Sequence, residues 1–221
     1  MVDLIFDPDG EVLLHLSRSL EDDQHTPQVD PSAIANDSNK DRRVETLMLV
    51  SSRHMMLASR VFKVMLSNTF SEGLALRSAG KLKLPLPDDD PVAFEILLNI
   101  IHGHPRSVPR QIDLQLLRRL AITIDKYELQ EVVQVFSDAW LNNLKNTLPK
   151  SFTPDLLLWL FIFLVLDKPS EFRHASKIIQ LESTGRIGED LLLNLPLPGS
   201  IIGIRSLILS QHLRRADEVF R

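Results

Sequence analysis

Histidines, serines and carboxylates occur in this chain in ordinary numbers, so their spacing decides what chemistry they can do. His54 opens a predicted helix beside Met55, Met56 and Leu57, with no acid or nucleophile at catalytic spacing. That setting favours a hydrogen-bonded histidine at a strand-to-helix junction over a general base. His102-Gly103-His104 offers two imidazoles without a third ligand nearby, which suits a loop better than a metal centre. Asp88-Asp89-Asp90 lacks the alternating ligands and distant glutamate of a calcium loop. Asp90 is instead expected to cap a helix, with Pro91 in its first turn. The absence of cysteine excludes disulfides, thiolate catalysis and cysteine-based zinc sites. There is no Gly-x-Ser-x-Gly elbow, phosphate-cradling glycine loop or His-Glu-x-x-His. The chain therefore reads as non-enzymatic, with no catalytic residue, metal or cofactor expected; the lesser alternative is a hydrolase or transferase whose site forms only in three dimensions.

The stretch from Ser51 to Gly73 looks built for packing and docking. A strand over Thr46 to Val50, within a longer run from Arg43, leads into a helix starting near Arg53. Leu57, Val61, Phe62 and Met65 recur at helical spacing, which predicts one buried face. Phe70-x-Glu72 follows, an apolar and acidic pair ahead of Gly73 that is expected to be exposed.

The other elements can be placed around that stretch. Residues 2–16 read as a hairpin, two strand-like runs separated by Asp7-Pro8-Asp9-Gly10. An acidic, proline-containing insert from about 17 to 43 is too poor in large apolar residues to build its own core. Lys81 to Leu84 alternates as a half-buried strand does. Phe94, Leu97, Leu98 and Ile101 line a helix ended by Gly103, and Pro105 to Arg110 is a short basic turn. A helix from Asp113 carries Leu116, Leu117, Leu120, Ala121 and Ile124. After a break at Asp125-Lys126-Tyr127, a second carries Val133, Phe136, Trp140 and Leu144, giving a helical hairpin. Thr153 and Pro154 start the apolar helix Leu156 to Leu166. A polar helix over Ser170 to Thr184, an extended Leu195 to Gly199 and a helix over Ile204 to Phe220 complete the chain. Arg214, Arg215 and Arg221 suit that last helix's C-terminus.

A length of 221 residues suits one domain with an appended helical unit, here 1–144 and 145–221. The formal charge of −4 argues against a nucleic-acid footprint. The apolar run Leu156 to Leu166 is shorter than the roughly 20 residues a membrane span needs. Asp3 and Asp7 interrupt the N-terminus, so no cleavable signal is expected, and an intracellular setting, cytoplasm or nucleus, fits the lack of cysteine.

His54-x-x-Leu57-Ala58-Ser59-x-x-Phe62, followed by Phe70-x-Glu72-Gly73, resembles the signature of the BTB/POZ domain. Leu84 and Asp88 to Pro91, with Phe94, Leu97, Leu98, Ile101 and Gly103, resemble that family's later strand and helix, and Leu116, Leu117, Ala121, Asp125, Lys126, Tyr127 and Leu129 its last helical hairpin. The resemblance covers residues 1 to about 144 and is nearest to BTB-domain proteins of filamentous fungi. It implies an α+β fold, a small β-sheet capped by α-helical hairpins and followed here by a helical C-terminal extension. It implies function by protein–protein contact, as a homo- or hetero-dimer, without catalysis. Two positions depart from the family: His102 replaces the usual tyrosine, and Met55 an arginine that would pair with an acid such as Asp3. Two interaction roles are expected. One is dimerisation through an apolar hairpin edge formed by Leu4, Phe6, Leu14 and Leu16. The other is a substrate adaptor for a cullin-type ubiquitin ligase, docking through Phe70 and Glu72.

Overall fold

Val12, Leu14 and Leu16 alternate with Leu13, His15 and Ser17, and that two-residue period commits the segment to a strand with one buried face. In the computed structural model, which describes residues 2–19 and 43–182, this segment is the interior of a four-stranded sheet. The strands are β1 (Leu4–Ile5), β2 (Val12–Ser19), β3 (Arg43–Val50) and β4 (Leu82–Leu86), in the order β1-β3-β2-β4. β2 runs antiparallel to β3, with Leu14 opposite Met48 and Val12 opposite Val50. It runs parallel to β4, with Leu14 opposite Leu84. Val12, Leu14, Leu16, Met48, Val50, Leu84 and Leu86 are all buried. Pro85 lies on edge strand β4, where a missing amide interrupts no second ladder.

The expected 2–16 hairpin does not form. β1 pairs in parallel with β3, Leu4 against Met48, so β1 and β2 flank β3 rather than each other. The Asp-Pro-Asp-Gly turn makes this crossing possible. Gly10 N–H donates to the Asp7 carbonyl at 3.0 Å, and Asp9 N–H to Asp7 Oδ1 at 3.0 Å. Gly10 passes so close to the end of β3 that a Cβ there would lie 2.6 Å from the Val50 carbonyl oxygen. Asp3 ties β1 down with its carboxylate, which accepts from Leu47 N–H at 2.7 Å.

The helix expected from Arg53 is two helices, α1 (Ser52–Ala58) and α2 (Arg60–Met65). Ser59 between them is extended (φ −137°, ψ 126°), and its Oγ accepts from Phe62 N–H at 3.1 Å. This serine cap restarts the helical phase. Phe62 is buried against Phe94, whose ring meets it edge-on at 6.5 Å, whereas Leu57 is 87% exposed. The expectation of a single buried face is corrected: of its four residues Phe62 is buried, Val61 and Met65 are half-buried and Leu57 is exposed, and Met55, Phe62 and Leu66 do the packing. After α3 (Ser71–Ala79) and β4, helix α4 (Pro91–Ile101) starts as expected. Asp90 Oδ1 accepts from Ala93 N–H at 2.8 Å, and Pro91 occupies the first turn. Ala93, Phe94, Leu97 and Leu98 complete the core over the sheet's buried strand residues.

These elements make up the first of two compact units, which divide between Val108 and Pro109. The second unit contains α5 (Leu114–Tyr127), α6 (Gln130–Leu144), a 3-10 turn at Lys145–Thr147, α7 (Pro154–Val165) and α8 (Pro169–Glu182). Asp113 caps α5 through Leu116 N–H at 2.7 Å. The helix runs through Tyr127 rather than breaking at 125–127. It ends where Glu128 turns left-handed (φ 52°) and Leu129 N–H reaches back to the Ile124 carbonyl. Trp140, fully buried, donates its indole N–H to the Pro109 carbonyl at 2.8 Å. Leu156 to Phe163 are all buried, since α7 packs on both α5 and α8. Thr153 stands at the N-cap of α7, but its hydroxyl makes no cap hydrogen bond, contrary to expectation. The expected division after residue 144 falls inside this unit, because α5 and α7 pack across it.

The architecture is mixed α+β, a small sheet with helices in the first unit and an all-helical second unit among the described residues. No helix of the described residues is long and apolar enough to cross a membrane. Most of the acidic insert, the segment Leu195 to Gly199, the helix expected over Ile204 to Phe220 and its arginines lie outside the described residues.

Candidate interaction surface

Helix α3 begins at Phe70, an extended N-cap residue (φ −108°, ψ 162°) whose carbonyl accepts from Leu74 N–H at 3.0 Å. Gly73, in the first turn, is buried against the end of α2. A Cβ there would fall 1.7 Å from the Ser67 carbonyl oxygen. That close approach sets the start of α3 on the 66–67 backbone and leaves Phe70 47% exposed. Leu74, on the helix itself, is 54% exposed. Glu72 is half-buried in the first turn, where a carboxylate is favoured by the helix dipole, and it accepts from Ser71 Oγ at 2.9 Å. An aromatic ring and a carboxylate are thus held at the start of a short helix packed closely on the 66–67 backbone. Phe70 is exposed as expected and Glu72 is half-buried, while the exposed Leu74 was not singled out from the sequence.

The residues expected to form a dimerising edge are placed differently. Leu14 and Leu16 are fully buried on β2, an interior strand, and Phe6 is 7% exposed. None of the three forms a surface edge. Leu4 is half-buried on β1, the short edge strand. Non-local pairing explains the difference, since a strand's neighbours decide whether its side chains face the core.

A second feature is an open cleft of about 480 Å³ between the first-strand turn and α1. Asp7, Asp9 and Glu11 line one side; Ser51, Arg53, His54 and Leu57 line the other. Glu11 serves the fold: its carboxylate accepts from Ser52 Oγ at 2.5 Å and faces Ser52 N–H at 3.4 Å, capping α1 from a distance. His54 is exposed rather than part of the core, and its ring lies 5.1 Å from that of His102. His102 is not a free loop residue. Its Nε2 accepts from Ser51 N–H at 3.2 Å, and its Nδ1 lies 3.0 Å from the Leu98 carbonyl. Burial is the main cause holding its pKa below 6.5. His104 is exposed. No group of three His, Cys, Asp or Glu side chains placed to hold a metal occurs among the described residues.

The remaining signature residues are structural. Ser59 caps α2, Asp90 caps α4, and Phe62 and Phe94 meet in the core of the first unit. Tyr127 is buried in the second unit. No protein-family model matches the chain, and no curated protein matches it.

Proposed function

We propose that this chain is a non-enzymatic protein–protein interaction module of BTB/POZ type. The residue pattern from His54 to Gly73 supports this reading. The observation that carries it is Phe70, an aromatic side chain held half-exposed beside Glu72 at the seated start of α3. Covering the remaining apolar area of such a ring, on the order of 100 Å², contributes roughly 2 kcal/mol. A partner that takes Phe70 into a pocket would therefore lose about 30-fold in affinity on Phe70→Ala. Glu72, at the rim, would supply orientation more than affinity.

Two partner classes follow from the resemblance. Phe70-x-Glu72 matches the hydrophobic-x-glutamate pattern of cullin-docking adaptors, and its exposure at α3 favours this assignment over one through Leu14 and Leu16. The same module would pair with itself or with another BTB protein through surfaces other than those buried leucines. Affinity capture with wild type and a Phe70→Ala, Glu72→Ala variant tests the docking site. Loss of a cullin from the variant is the expected result; equal recovery overturns the assignment. Light scattering after size exclusion tests self-association, which a strict monomer at high micromolar concentration overturns.

A further inference from the structure

We propose that His102 is a pH-sensitive latch that holds the turn between β3 and α1 to the end of α4. The imidazole belongs to the C-cap residue of α4, and both of its nitrogens are engaged. Ser51 N–H can only donate, so the Nε2 facing it at 3.2 Å carries no proton. The Leu98 carbonyl can only accept, so the Nδ1 at 3.0 Å carries one. A single neutral tautomer satisfies both contacts. Phe6 and His54 flank the ring, with centroids at 5.8 and 5.1 Å.

Ser51 is where α1 is hung. It is 6% exposed, and its carbonyl accepts the first helical bond from Met55 N–H at 3.1 Å. Protonation of His102 places a hydrogen on Nε2 against the Ser51 N–H. The acceptor is lost, and a buried amide is left without a partner. The added positive charge faces His54 on α1 and His104 beyond α4, with Asp7 after β1 as the facing carboxylate. Glu11, across the junction, remains tied to Ser52.

Desolvation lowers the ring's pKa, and His54 and His104 push the same way, against the Leu98 bond and Asp7. The folded value therefore lies below the unfolded 6.5. The latch is fully closed above that pH and is lost as pH falls from there through the folded value. Its release frees Ser51 and the α1 side of the cleft. The latch needs only His102 and its two bonds, so it stands independently of the partner-binding reading.

Nitrogen-15 spectra of the imidazole rings read the tautomer in the intact protein. The Nδ1–H form of His102 is expected at pH 7.5, and the Nε2–H form would overturn the latch. Amide exchange at Ser51, normalised to its intrinsic rate, is expected to rise about tenfold between pH 7.5 and 5. His102→Phe should remove that dependence and His54→Gln should retain it. A flat wild-type profile, or a dependence that survives His102→Phe or vanishes in His54→Gln, overturns the proposal. If His102→Phe fails to fold, the wild-type tautomer and exchange profile decide alone.

Discussion

Gly73 and Leu57 show how little a residue's place in a motif says about its physical role. A methyl group at Gly73 would enter the Ser67 carbonyl, and backbone cannot yield as a flexible side chain does. Gly73→Ala should therefore destabilise the first unit by about 3 kcal/mol, seen as a lower urea midpoint. Leu57 is 87% exposed, so Leu57→Ala should change stability by less than about 0.5 kcal/mol. A loss above about 2 kcal/mol would place Leu57 in the core after all. The two outcomes are opposite to what periodicity alone suggests. Leu57 falls in phase with Val61 and Met65 only if the helix is continuous, and Ser59 breaks it. Asp90 and Pro91 were legible in advance because a cap is decided by residues three positions apart.

At the scale of elements, caps set the phase of the helices and strand pairing sets which side chains are inside. Asp90 caps the N-terminus of α4 with its side chain, and α4 carries Phe94, Leu97 and Leu98 into the core. Asp90→Ala should lower stability by about 1 kcal/mol, with Asp90→Ser recovering most of it, as thermal or urea unfolding would show. Equal loss in both variants would mean that the carboxylate acts through a different contact. The strands were legible as strands, because Val12, Leu14 and Leu16 alternate with residues on the opposite face. Their order was not. A tight Asp-Pro-Asp-Gly turn ordinarily joins neighbouring strands, but here Gly10 passes under Val50 and β3 lies between β1 and β2. That non-local arrangement is what buries Leu14 and Leu16 and removes them as a docking edge.

At the scale of the whole molecule, each unit has its own core: Phe62, Phe94 and Met48 in the first, Trp140, Trp159 and Tyr127 in the second. The boundary at 108/109 was hidden in the sequence because α7 reads as the start of something new. An apolar helix covered on nearly every side needs neighbours, and α5 is one of them. Both tryptophans of the chain lie in the second unit, so indole fluorescence reports on that unit alone. Phe62→Ala opens a cavity in the first core and should destabilise it by about 3–5 kcal/mol. If the units unfold as separate cooperative bodies, amide exchange in residues 2–19 and 43–108 rises while the tryptophan midpoint stays within error of wild type. A tryptophan transition that moves in step with the exchange would show instead that the two cores unfold as one.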